Sequence, residues 1–483
     1  MPILVAVLSL LLIPLGAQSA SADTALAAQT GTITESIGNG PENIAITPDG
    51  TTAYVTNLDS NSVSIIDVAT NHKIGNVVDF VGGGPWGVAF SPDGTTAYVT
   101  NLLGNSVSII DVTEHKQTGT IEDYDQVGPA GVVFSPDGTT AYVTNSINSS
   151  ISVINTTTKK QERLVTDYDG TSPKDIALVP GSSLAYVINY DTISIIDTTE
   201  DKQVYTVANY NQTDPRGIAI SPNGATAYVT NFGTNSVSII DVATRNQIKT
   251  IDNYTPFQEP WGVAFSRDGV TAYIANTGSD SVTAVNVSNH EPIGEVTGYT
   301  GVAPVGIAVH PLNPTAYVAN PGNDSISVLS LPVPPTLNTA QPVNGTAGAT
   351  YTGFTFTTTG FPAPITSFAA GTNTAATVPG NASVPSGLSL DTEGVLSGTI
   401  LSTVQPGTYN FVIVASNGAE PNALQSYSLT VLAAPNPPAP TPTVGMPGEL
   451  ANSGVQNHSI HYLAGILVVL GAIAIVARRT AAK

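Results

Sequence analysis

The chain has no cysteine, and only 14 of its 483 residues are lysine or arginine. The first absence excludes disulfide staples, thiol nucleophiles and cysteine-based metal sites together. Packing alone must hold such a chain. The second argues against nucleic acid as a partner. Against 35 Asp and Glu the formal net charge is −21, and binding a phosphate backbone needs clustered positive charge. No Lys or Arg lies between Arg267 and Arg478. The six histidines, His72, His115, His290, His310, His458 and His461, fall at unlike places and never form a His-x-His or His-Glu-x-x-His spacing. There is no Gly-x-Ser-x-Gly elbow or phosphate loop. No cofactor or metal is implied.

What the chain has is repetition. Ser91-Pro-Asp-Gly-Thr-Thr-Ala-Tyr-Val-Thr-Asn101 returns with small changes as far as Asn320. Anchored on its proline, the unit starts at Pro41, Pro85, Pro129, Pro173, Pro215, Pro260 and Pro304, in steps of 44, 44, 44, 42, 45 and 44 residues. A period in this range marks a repeat architecture. Within the second unit, Gly87–Phe90, Thr96–Thr100, Ser106–Ile110 and Gly119–Ile121 are short runs rich in Val, Ile, Thr and Tyr. Asp93-Gly94 and Gly104-Asn105 separate them as turns. Four short antiparallel strands per repeat make one blade of a β-propeller. Ala-Tyr-Val-Thr-Asn followed by Asn-Ser-Val-Ser-Ile-Ile-Asp resembles the YVTN family of β-propeller repeat proteins, many of them surface proteins of bacteria and archaea. The resemblance spans 30–331 and implies a seven-bladed ring.

The seventh unit ends after Ser325–Leu329 without a fourth strand, while Thr30–Thr34 ahead of the first unit resembles Thr118–Ile121. The N-terminus is therefore expected to complete the last blade and close the ring. Asp49, Asp93, Asp137 and Asp268 each precede Gly, which reads as hairpin-turn chemistry rather than metal binding. Asp67, Asp111, Asp197 and Asp241, with Asn155 and Asn286, give one polar cap per blade. Tyr54, Tyr98, Tyr142, Tyr186, Tyr228, Tyr273 and Tyr317 read as packing aromatics between blades.

The residue after the anchoring proline varies while its surroundings do not: Glu42, Trp86, Ala130, Lys174, Arg216, Trp261 and Val305. If the following strand is innermost, these residues ring the central mouth. Both tryptophans of the chain are there, and they are expected to flank the axis without touching. Lys174 and Arg216, in adjacent blades, are expected to make one side of the rim basic. Such a mouth suits a glycan, a small acid or a protein ligand; the alternative is that the indoles merely pack at the strand entrance.

The ends of the chain concern location. Ile3–Ile13 is apolar but too short to span a bilayer, and Ala20-Ser-Ala22 has signal-peptidase spacing, so 1–22 reads as a secretory signal. Residues 332–433 read as an Ig-like β-sandwich. Pro385–Thr399 and Gly407–Ser416 resemble the immunoglobulin-like modules of bacterial surface proteins, and Tyr409, Phe411 and Ile413 alternate with Asn410, Val412 and Val414 as in a half-buried strand. Asp391 and Glu393 there are weak calcium candidates. A Pro-rich linker, 434–449, follows. In 450–483, Leu450-Ala451-Asn452-Ser453-Gly454, the apolar Leu463–Ala477 and Arg478-Arg479 resemble a Gram-positive cell-wall sorting signal, with Ala for Pro and Ser for Thr in the pentapeptide. That resemblance implies a sortase as partner, cleavage between Ser453 and Gly454, and a C-terminal helix in the membrane before processing; a retained membrane anchor is the alternative. The expected fold is all-β, a seven-bladed β-propeller followed by an Ig-like β-sandwich. The expected function is binding, adhesion or structure at the cell surface. A propeller enzyme of the lactonase or lyase type, and a sensor or scaffold for a partner protein, are the rival readings.

Overall fold

The structure, a computed structural model, describes residues 26–369, 383–419 and 421–435. The expected signal segment, the Leu450–Gly454 motif and the apolar stretch after it lie outside the described residues. Among the described residues no helix is long and apolar enough to cross a membrane.

Each repeat folds into a four-stranded antiparallel sheet, and the second shows the reason. Pro85–Phe90, Thr96–Asn101, Ser106–Asp111 and Lys116–Thr120 pair in chain order. The second and third strands are buried along nearly their whole length, because each blade is covered on both faces by its neighbours. That is why they read as continuous apolar runs instead of alternating ones. At the hairpin, Ser91 Oγ (2.6 Å) and Thr95 N–H (3.0 Å) both donate to Asp93 Oδ1, and Gly94 takes a φ of 72°. Asp49, Asp137 and Asp268 repeat the arrangement, with Asn223 standing in for Asp in blade five. The turn reading of these carboxylates holds. Asp67, Asp111, Asp197 and Asp241 cap the next hairpin by accepting N–H groups of Thr70, Glu114, Thr199 and Thr244.

Seven such sheets make the ring. In the seventh, the strand Ala28–Ile33 pairs with Ser325–Ser330, from Ala28 opposite Ser330 to Ile33 opposite Ile326. The N-terminal strand thus completes the last blade, starting two residues before the expected Thr30. It is also tied to blade six by Gln29 N–H to Thr297 O (3.0 Å) and Thr297 N–H to Ala27 O (2.9 Å).

The seven repeated tyrosines are no more than 1% exposed. The hydroxyls of Tyr54, Tyr142, Tyr228 and Tyr317 reach the hairpin of the following blade, on His115 Nδ1 (2.7 Å), Asp201 Oδ1 (2.6 Å), His290 Nδ1 (2.8 Å) and Asn71 Oδ1 (2.5 Å). This corrects one expectation. His115 and His290 occupy equivalent positions in blades two and six, just before the fourth strand, and both receive a tyrosine. His310 takes the serine's place in the Ser-Pro-Asp-Gly turn of blade seven, its Nδ1 accepting from Leu312 (2.9 Å) and Asn313 (2.8 Å) N–H groups. Both His115 and His290 lie 30 residues after their anchoring proline, Pro85 and Pro260, so their equivalence was already present in the repeat.

After Leu331 the chain enters a sandwich. Ala423–Leu432 and Gly407–Ser416 pair centrally, flanked by Gly345–Thr346 and Ile365–Phe368, and pack over the sheet of Thr350–Thr355, Val395–Thr399 and Leu388–Leu390. Phe356, Leu396, Tyr409, Ile413 and Leu429 are fully buried in its core, as the alternation at Tyr409–Val414 requires. Asp391 Oδ1 accepts the Val395 N–H (2.7 Å), so this carboxylate closes a turn.

Candidate functional site

The first strand of every blade lines the axis, and crowding there dictates its sequence. The second residue after the anchoring proline is glycine in five blades. At Gly87, Gly131, Gly217, Gly262 and Gly306 an added Cβ would run into the backbone of the next blade. Blades one and four depart from this, with Asn43 and Asp175. The threonine of Tyr-Val-Thr-Asn then fixes the rim. Thr56 Oγ1 donates to Trp86 O (2.7 Å), Thr100 to Ala130 O (2.6 Å), and Thr144 and Thr230 to Lys174 O and Trp261 O. Blades one, two, three and five thereby hold the variable residue of their successors, while Ile188, Ala275 and Ala319 replace the threonine in the other three.

All seven residues that follow the prolines line one axial cavity of about 230 Å³, so the structure brings the expected mouth residues together. Two of their relations differ from expectation. Trp86 and Trp261 touch, with ring centroids 6.1 Å apart at 47°. The inner strands converge so closely that two indoles from blades two and six reach each other across the opening. The basic arc is also not free. Arg216 Nη2 lies 3.0 Å from Asp214 Oδ2, and Lys174 Nζ binds the other oxygen of the same carboxylate. All three side chains are largely buried, which makes this pairing stronger than an exposed ion pair. Net charge on that side falls from two positive to one. Burial opposes ionisation of Asp214, yet the Lys174 hydrogen bond and the Arg216 charge hold its carboxyl below the usual range. Burial likewise draws the Lys174 ammonium below its ordinary value, against the pull of Asp214.

The Arg216 guanidinium is wedged between aromatic faces, 4.6 Å from the Trp261 ring centroid and 4.9 Å from that of Phe232. Phe232 meets Trp261 edge-on at 5.7 Å. Two carboxyls sit in the shaft near neutrality. Burial, reinforced by the Asp59 charge and opposed by Arg216, pushes Glu42 up to about 7. Burial pushes Asp175 up to about 6, although its oxygens accept N–H groups of Ile176 (2.8 Å) and Ile218 (3.4 Å). Asp175, Asp214 and Phe232 were missed in the sequence. Asp175 was legible, being one of two breaks in a glycine position; Asp214, just before the anchoring Pro215, and Phe232, just after Asn231, also hold fixed repeat positions, and only their contacts with Lys174, Arg216 and Trp261 needed the structure. Among the described residues no group of three or more His, Asp or Glu is placed to hold a metal. The site offers tilted and edge-on aromatic rings, a partly desolvated cation and two buried carboxyls around a small shaft.

Comparison with known proteins supports the architecture. Residues 38–198 match the family described as "Lactonase, 7-bladed beta-propeller", and residues 334–432 match the family described as "Putative Ig domain". No curated protein matches the chain. Among solved structures it is similar to Kuenenia stuttgartiensis Hydrazine Synthase, with a TM-score of 0.53 at 24% identity, covering 64% of this chain and 97% of that one. That likeness concerns the fold alone. With 1419 solved chains matching, the propeller by itself selects no function.

Proposed function

We propose that the chain is a ligand-binding protein of the cell envelope, whose propeller presents its axial mouth outward on an Ig-like stalk. One observation carries the binding reading: the only two tryptophans of the chain meet over the axial cavity, with Arg216 stacked against one of them. Indole faces at the opening favour the flat apolar face of a sugar ring or similar small molecule, and a partly desolvated guanidinium adds a directional donor for a hydroxyl or carboxylate. The ligand is a glycan or a small acid. A glycan array probed with the wild type, Trp86→Ala and Trp261→Ala tests this. Binding should fall at least tenfold in each variant at unchanged thermal stability; equal binding by all three would return the indoles to a packing role. The envelope reading rests on Leu450–Gly454 and its apolar, basic-ended tail. Mass spectrometry of envelope digests should find a peptide ending at Ser453 with a wall adduct, and intact peptides across Ser453–Gly454 would favour a retained anchor.

A second reading, an extracellular propeller enzyme of the lactonase or lyase type, is favoured by the family match over 38–198 and by the Glu42 and Asp175 carboxyls in the same shaft. Either carboxylate would act as a general base on a substrate held beneath the indoles. Opening of acyl lactones by the purified chain, lost in Asp175→Asn, would establish it.

A further inference from the structure

A second, larger recess opens between blades five and six. It has a volume of about 870 Å³, and its lining includes Phe232, Tyr254, Asn253, Gln258, Asp252 and Glu259. It arises where the repeat is longest, the step of 45 residues from Pro215 to Pro260. At four other blade junctions a tyrosine of the connecting loop seals this place. Tyr124, Tyr168, Tyr210 and Tyr299 donate to the side-chain carbonyl of Asn145, Asn189, Asn231 and Asn320, the last two at 2.7 Å and 2.5 Å.

Between blades five and six the seal is rearranged. Phe257, 2% exposed, is the buried ring here, and Tyr254 packs against it edge-on at 5.2 Å. Phe257 N–H closes the loop on Tyr254 O at 3.0 Å. The Tyr254 hydroxyl has no partner among the described residues, and Asn276 Oδ1, fully buried, is left without one. Asn57 and Asn101 carry the same unsatisfied oxygen, so at Asn276 it marks the displaced tyrosine and does not by itself indicate a ligand.

We propose that this recess is a carbohydrate site taking an uncharged oligosaccharide. Tyr254 and Phe232 supply ring surface for the apolar face of a sugar. The exposed amides of Asn253 and Gln258 can donate and accept at once, as neighbouring sugar hydroxyls require. The ionisable carboxylates of the lining, Asp252 and Glu259, accept from hydroxyls and repel acidic sugars, and no Lys or Arg lines the recess. The site is distinct from the axial mouth, which Phe232 separates from it by lying against Trp261, and it does not require the mouth to bind anything.

Isothermal titration of the full chain with cellohexaose, maltohexaose, mannohexaose and hexagalacturonate tests the assignment. At least one neutral hexasaccharide should bind and hexagalacturonate should not. Gln258→Ala and Tyr254→Phe, changes at a solvent-exposed amide and a single hydroxyl, should each weaken binding at least fivefold without moving the unfolding midpoint. Trp86→Ala should leave it unchanged. Failure of all three neutral sugars, or unchanged affinity in both recess variants, would overturn the proposal. Loss confined to Trp86→Ala would also overturn it, by placing the sugar at the axis instead.

Discussion

Replacing Phe80 by tyrosine should stabilise the propeller, and the repeat itself shows by how much. In blade two the side chain of Asn101 donates to Ser106 Oγ (3.0 Å) and Ser108 Oγ (2.9 Å), while its Oδ1 is buried with no partner. The equivalent asparagines of blades three, four, five and seven each receive a tyrosine hydroxyl from the preceding loop. Blade two has Phe80 at that position, packed into the same kind of interblade cluster but lacking the oxygen. The Phe80 ring approaches Gly82 as Tyr168 approaches Gly170, so the missing hydroxyl has its place beside Asn101 Oδ1. One net hydrogen bond is worth about 1 kcal/mol, and satisfying a buried acceptor raises that toward about 2 kcal/mol. In a ring of this size the change is about 2–3 °C in Tm. Urea unfolding should show a higher midpoint at unchanged slope for Phe80→Tyr, and Tyr168→Phe should lose a similar amount. The gain should vanish in an Asn101→Ala background, since the partner is then absent. An unchanged midpoint, or a gain that survives Asn101→Ala, would refute the reasoning.

Two further outcomes follow from the ring and its mouth. Deleting Ala28–Ile33 strips the outer strand from blade seven and exposes the edge of Ser325–Ser330; stability should fall by about 4 kcal/mol or more, with aggregation of the truncated ring, measured by thermal unfolding and light scattering. Glu42 carries its proton more readily folded than unfolded, so the folded state holds more protons between about 4.5 and about 7 and stability falls as pH rises through that window. Asp175 adds a decline of the same sign from 3.8 to about 6. Glu42→Gln should remove about 3 kcal/mol of that loss, read as a flatter curve of urea midpoint against pH; an unchanged curve would mean Glu42 is ordinarily solvated.

Much of this was legible in the residues because a repeat compares a sequence with itself. The blade count, the closing strand and the turn role of the Asp-Gly pairs came from aligning seven units. The axial position of Trp86, Lys174, Arg216 and Trp261 came from asking where the alignment varies. What escaped was distance across the ring. Whether two indoles from blades two and six meet depends on how far five bare glycines let the inner strands converge. The charge of the rim likewise turned on Asp214, which immediately precedes the anchoring Pro215 at a repeat position that was not compared across the blades. The histidines were misjudged for a different reason: His115 and His290 share one offset from their anchoring prolines, which the alignment contained, and only the tyrosine that reaches each from the previous blade had to come from the structure.

The most direct test of an axial binding site uses the two tryptophans as its only indole reporters, since the chain has no others. Intrinsic fluorescence should be followed while the full chain is titrated with a ligand found on the glycan array, in the wild type and in Trp86→Phe and Trp261→Phe. A saturable shift in indole emission at the affinity measured by calorimetry, reduced in each single variant, is the expected result. Binding seen by calorimetry with no change in indole emission would contradict the site.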